Sequence, residues 1–120
     1  MPPPGAIDDI SAVTLPVRAM AASVAFYAQL GFAISYGGEQ ASFTTMRAGR
    51  AVINLRRSDG ETASCNARVI LRVRGVDALH AELIARGLRP TAPRDAEWGE
   101  RYCELSDPDG VIISLAEVIE

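Results

Sequence analysis

Hydrophobic and polar positions along the chain fall into two alternating periods. Val13, Leu15 and Val17 are separated by Thr14 and Pro16, the two-residue repeat of a half-buried strand. Val24, Tyr27 and Leu30 then recur at helical spacing with Phe26 beside them, which predicts a helix from about Met20 to Leu30. Ser23 is a candidate N-cap for this helix and Gly31 a candidate stop. Three apolar runs follow, Phe32–Tyr36, Ala41–Arg47 and Ala51–Leu55, divided by Gly37-Gly38 and Ala48-Gly49. Strand, helix and three strands make one βαβββ unit.

Ser58 to Asn66 is small and polar and reads as a surface linker, after which the pattern restarts. Val69, Leu71 and Val73 alternate as Val13, Leu15 and Val17 do, 56 positions later, and Gly87 follows Gly31 at the same spacing. Gly75-Val76-Asp77 opens a second helix whose apolar face is Leu79, Leu83 and Ile84. Leu88–Thr91 is expected to begin the next strand. Arg101–Leu105 and Val111–Leu115 complete the set around the turn Asp107-Pro108-Asp109-Gly110. A repeated supersecondary unit implies two modules sharing one core. The expected fold is therefore α+β: two βαβββ modules, about 10–57 and 67–118 of one domain spanning 1–120, with eight strands in a curved mixed sheet around a concave pocket.

Strand alternation also assigns faces. If Val13, Leu15 and Val17 pack on helices, then Thr14 and Pro16 face the concave side, with Val52, Asn54, Arg68, Ile70, Tyr102, Glu104, Ile112 and Ser114. Trp98 sits at the rim, and Phe43 or Met46 adds to the lining from the first half. The candidate ligand-binding residues are Phe43, Asn54, Arg68, Trp98, Tyr102, Glu104 and Ser114. Apolar and aromatic surface with a few polar groups suits a small organic ligand. Each residue also has a plainer reading: Trp98 as packing or dimer interface, Arg68 and Glu104 as an ion pair without function. Arg68 alone would favour an anionic ligand and Glu104 a cationic one. Arg101 is expected to point away from the pocket, and Cys103 to be an inert core thiol.

Composition narrows the function classes. A net charge of −3, with no Lys/Arg-rich patch, argues against nucleic acid. No apolar run approaches the ~20 residues of a membrane span. Met1-Pro2-Pro3-Pro4-Gly5 lacks the features of a signal peptide, so a cytoplasmic protein is expected. Cys65 and Cys103 are too few and too isolated for a disulfide framework. The one histidine, His80, lies on the second helix, so a Ser-His-Asp or Cys-His arrangement is not supported.

Three motifs in order carry a family resemblance over about Ile10 to Glu117. They are Ser23-Val24-Ala25-Phe26-Tyr27-Ala28-Gln29-Leu30-Gly31-Phe32, then Val76–Leu83 with Arg86-Gly87, then Trp98-Gly99-Glu100-Arg101-Tyr102 followed by Asp107-Pro108-Asp109-Gly110. Together they resemble the glyoxalase/bleomycin-resistance/extradiol-dioxygenase (vicinal oxygen chelate) superfamily, and the third resembles its bleomycin-resistance members.

Enzymes of that superfamily hold a divalent metal with four side chains, typically His, Gln or Glu. The resemblance places those positions at Ala12, Asn54, Arg68 and Ser114, a set that offers only weak neutral donors and one cation. No metal and no other cofactor is therefore expected. The resemblance then implies a metal-independent small-molecule binding protein like the antibiotic-sequestering bleomycin-resistance proteins, acting as a homodimer. The alternatives are a diverged lyase or isomerase using Glu104 or Tyr102 as acid/base, and a regulatory domain with a degenerate pocket.

Overall fold

The structure, a computed structural model, describes residues 3–58 and 66–119. All of the expected linker except Ser58 and Asn66 lies outside the described residues, as does Cys65. The first module runs β1 (Val13–Val17), α1 (Met20–Gln29), β2 (Ala33–Tyr36), β3 (Phe43–Ala48) and β4 (Ala51–Arg57). The second repeats it with β5 (Arg68–Arg72), α2 (Val76–Ala85), β6 (Arg94–Asp95), β7 (Glu100–Ser106) and β8 (Ile112–Val118).

The eight expected strands form two four-stranded mixed sheets rather than one continuous ladder, ordered β1-β4-β3-β2 and β5-β8-β7-β6, and no barrel closes. β1 runs parallel to β4 with Val13 opposite Ile53, and β5 parallel to β8 with Val69 opposite Ile113. The remaining neighbours are antiparallel. This equivalence of registers is the repeat read from the sequence, now seen as pairing.

Alternation puts Leu15, Val17, Ile53, Leu55, Cys103, Leu105, Ile113 and Leu115 on the buried faces. With Val24, Tyr27, Phe32, Val76 and Leu83 they form a single core cluster fed by both modules. Tyr27 meets Phe26 and Phe32 edge-to-face at 5.1 and 5.9 Å between ring centroids. Phe32 thus belongs to the core ahead of β2. Ile84, expected on the apolar face of α2, is half-exposed.

Neither helix caps itself. Ser23 lies inside α1, whose N-cap position is Ala19, and its hydroxyl donates to Asp109 Oδ2 at 3.4 Å instead of to the helix. Asp109 Oδ1 accepts the amide of Arg18 at 3.1 Å, so this carboxylate of the second module sits at the positive end of α1. Its neighbour Asp107 accepts the amides of Asp109 and Val111 through Oδ1 and the Tyr27 hydroxyl, at 2.7 Å, through Oδ2. The turn motif therefore bonds the helix motif across the module boundary. At the start of α2, Gly75 takes the left-handed conformation (φ 68°), and Glu117 accepts the amides of both Gly75 and Val76 at 3.0 Å.

The expected strand at Leu88–Thr91 is not regular, and the paired residues there are Arg94 and Asp95. Pro90 and Pro93 lack the amide donors a ladder needs, so Thr91 alone reaches β7, through its amide to the Glu104 carbonyl and its hydroxyl to the Glu104 amide. No helix among the described residues is long and apolar enough to cross a membrane.

Two outcomes follow from the capping carboxylates. Tyr27→Phe leaves a buried Asp107 oxygen short of a donor and should destabilise the fold by about 1.5–3 kcal/mol in urea unfolding, whereas exposed Tyr36→Phe should change it by less than about 0.5 kcal/mol. The Val76 and Gly75 amides hold the Glu117 carboxyl below its ordinary value. Its stabilising share is then complete above the unfolded value of about 4.3 and is lost as pH falls through the lower folded value. Glu117→Gln should flatten that acid limb of a Tm-against-pH profile.

Candidate functional site

The site residues are placed by the second sheet. On β7, Cys103 and Leu105 turn into the core, so Glu100, Tyr102 and Glu104 must face the other way. On β8, Ser114 lies opposite Glu104 on one side and Ile70 on the other. Arg68, Ile70, Arg94, Trp98, Glu100, Tyr102, Glu104 and Ser114 line one groove of about 310 Å³.

Two local structures build the groove. Arg68, on β5, reaches across β8 to pair with Glu104 on β7, so a guanidinium–carboxylate bridge crosses the sheet face. At the rim, Trp98 stacks on Tyr102 with centroids 6.0 Å apart and planes 28° from parallel. Arg94 covers the Tyr102 ring, its guanidinium carbon 5.0 Å from the centroid, and its Nε donates to the hydroxyl at 2.8 Å. The Trp98 indole donates to Glu100 at 2.7 Å, yet 71% of this residue is exposed. A wide aromatic surface is thus fixed in orientation and left uncovered.

Five of the seven candidate residues, Arg68, Trp98, Tyr102, Glu104 and Ser114, meet in this groove. Asn54 and Phe43 belong to the first sheet and do not line it. Asn54 accepts from the Thr45 hydroxyl at 2.7 Å and donates to Thr14 at 3.3 Å, next to a second groove of about 400 Å³ containing Thr14, Pro16 and Arg56. Arg94 and Glu100 were not among the candidates. Glu100 shares the parity of Tyr102 and Glu104 and was legible from the period of two. Arg94 lies opposite Tyr102 only because β6 begins later than expected.

Arg101 and Cys103 serve the fold and not the groove. Arg101 binds Asp77 at the start of α2 and Asp95 on β6, both at 3.0 Å, away from the groove. That contact lowers the Asp77 carboxyl and raises the arginine. Burial pushes up the Cys103 thiol, as suits a core cysteine.

The four positions that the family resemblance assigns to a metal do not fit one here. Ala12 has no donor, the Asn54 oxygen is taken by Thr45, Arg68 brings a cation already bound to Glu104, and Ser114 offers a neutral hydroxyl. Among the described residues no three His, Cys, Asp or Glu side chains cluster. Adding Ni²⁺, Zn²⁺ or Mn²⁺ to the purified chain should leave its Tm unchanged and show no stoichiometric binding by elemental analysis.

No curated protein sequence matches this chain. Solved structures do. A bleomycin-binding protein complexed with bleomycin is 24% identical with a TM-score of 0.76, covering 92% of this chain and 98% of its own. A bleomycin resistance determinant encoded on the transposon Tn5 is 23% identical with a TM-score of 0.79 and the same coverages. Lactoylglutathione lyase from Agrobacterium tumefaciens is 18% identical with a TM-score of 0.75, covering 97% of this chain and 96% of its own. At these identities the likeness establishes the fold. The sequence profile of the Glyoxalase/Bleomycin resistance protein/Dioxygenase superfamily matches residues 9–115, nearly the whole chain, and the protein belongs to that superfamily.

Proposed function

We propose that this protein binds a planar small molecule in the Trp98 groove and holds it without chemical change. The observation that carries the reading is the exposed Trp98–Tyr102 stack, clamped by Arg94 and Glu100 over a groove of ligand size. Aromatic surface that is rigid before binding loses little entropy when a flat ligand covers it. The unsuitable donor set at the four metal positions supports binding over Lewis-acid catalysis. A catalytic reading would need Glu104 or Tyr102 as acid/base, and both are engaged by arginines. The bleomycin-binding neighbours support a sequestering, resistance-type role for a ligand of this shape.

The working unit is a homodimer in this reading, with one domain of two modules per chain. Ile34, Tyr36, Ile70 and Trp98 are all at least 45% exposed, apolar surface that a second copy would cover. The radius of gyration is 15.2 Å, against about 13.6 Å for a compact chain of this length. Pairing two copies would cover these faces and set Asn54 and Phe43 of a first sheet against the Trp98 groove of a second. A free buried thiol suits a reducing compartment, which makes the cytoplasm the proposed setting.

Trp98 is the only tryptophan, so its fluorescence reports on the groove. Titration with bleomycin and with simpler planar heteroaromatics should quench it saturably, and the compounds should be recovered unaltered. By calorimetry, Trp98→Ala and Tyr102→Ala should each weaken binding at least about fivefold, the worth of roughly 1 kcal/mol of stacking. Unchanged affinity in both variants, or turnover of the ligand, would sink the proposal.

A further inference from the structure

Unpartnered arginines outside the Trp98 groove gather in two places, Arg56 and Arg57 beside Thr14 and a set of three where the modules meet. Among the described residues, the guanidinium groups of Arg50, Arg56, Arg57, Arg72, Arg74 and Arg89 make no hydrogen bond or ion pair within the chain. Three of these, Arg50, Arg72 and Arg74, line a single cleft of about 950 Å³ where the two modules meet. Arg50 comes from the β3–β4 turn of the first module. Arg72 ends β5 of the second, and Arg74 follows in the bend that leads into α2. A protein with a net charge of −3 has no general excess of cations to distribute, so this grouping is local.

The acids of the cleft offset its positive charge only in part. Glu117 gives its two oxygens to the amides of Gly75 and Val76, which hold its carboxyl below the ordinary range. Asp9 accepts the amide of the adjacent Ile10 at 2.7 Å. Three arginines without ion-pair partners therefore line one cleft with two carboxylates, and positive charge remains in excess there.

We propose that this cleft between the modules binds a small polyanion, a phosphorylated or polycarboxylate molecule. Guanidinium groups recognise oxyanions through paired, charge-assisted hydrogen bonds, and three of them in one cleft favour a ligand carrying several negative charges. The volume exceeds what a single inorganic ion would fill and matches the upper range of small-molecule sites. Because the arginines belong to both modules, an occupant adds a second connection across the boundary that Tyr27 and Asp107 already bridge. None of the cleft residues lines the Trp98 groove, so this site stands independently of the proposed one.

The test is calorimetric titration of the whole chain with tripolyphosphate and, separately, with citrate, at constant ionic strength. One ligand per chain is expected, with a higher Tm in its presence by mass action. Arg50→Gln, Arg72→Gln and Arg74→Gln should each weaken binding at least tenfold, and Arg89→Gln should not. These side chains are exposed and without partners, so the variants should keep the ligand-free Tm of the parent. Preference for tripolyphosphate would assign a phosphorylated ligand, and preference for citrate a polycarboxylate. Absence of binding by the parent chain, or equal binding by the Arg50, Arg72 and Arg74 variants, would overturn the proposal.

Discussion

Two buried carboxylates hold this molecule together. Asp107 and Asp109 are at most 8% exposed; Asp107 takes donors from both modules, and Asp109, on the second, takes its donors from the first. Asp107 uses one oxygen to organise its own turn and the other to hold Tyr27. Asp109 supplies α1 with the N-terminal acceptor that the helix lacks, binding the Arg18 amide and the Ser23 hydroxyl. An unsatisfied carboxylate at this depth would be strongly unfavourable. The two modules therefore have one relative placement that satisfies these groups, and the shared core forms around it.

That placement joins the modules through α1 and the turn, and it leaves the sheet faces opposite the core uncovered. The uncovered face of the second sheet is nonetheless ordered. Arg68 and Glu104 neutralise one another across β8, so neither charge is left to dictate ligand sign. Arg94, Tyr102, Trp98 and Glu100 form a connected series of polar and π contacts that orients the indole while leaving it bare. A surface pinned on one side and empty on the other is suited to receive a flat partner. On the first sheet, Thr45, Asn54 and Thr14 are joined by hydrogen bonds of their own.

The positions that the resemblance assigns to a metal are held by backbone pairing that does not depend on their side chains. Backbone pairing still brings β1, β4, β5 and β8 to the places the fold requires, because pairing depends on amides and alternation rather than on ligand identity. The side chains there are Ala12, Asn54, Arg68 and Ser114. The architecture is therefore retained by residues that work in the core and at the turns, and the concave side is free to change chemistry.

The sequence by itself determined the two-module organisation and the strand faces, with Arg68, Tyr102, Glu104 and Ser114 all on the side away from the helices. Those features follow from periodicities of two and 3.6, which are local and readable without coordinates. It also identified Asp107-Pro108-Asp109-Gly110 as a turn, but not as the partner of Tyr27 and Ser23, since sequence spacing carries no information about contacts 80 and 86 residues apart. Ser23 accordingly read as a cap when its hydroxyl serves the other module. Leu88–Thr91 read as the beginning of a strand, while the amide donors missing at Pro90 and Pro93 decided where β6 begins. Only the tertiary structure separated Asn54 and Phe43 from the Trp98 groove, settled the Arg68–Glu104 pair, and gathered Arg50 with Arg72 and Arg74. Each depends on how the two sheets and their turns lie in space, and packing fixes that rather than local pattern.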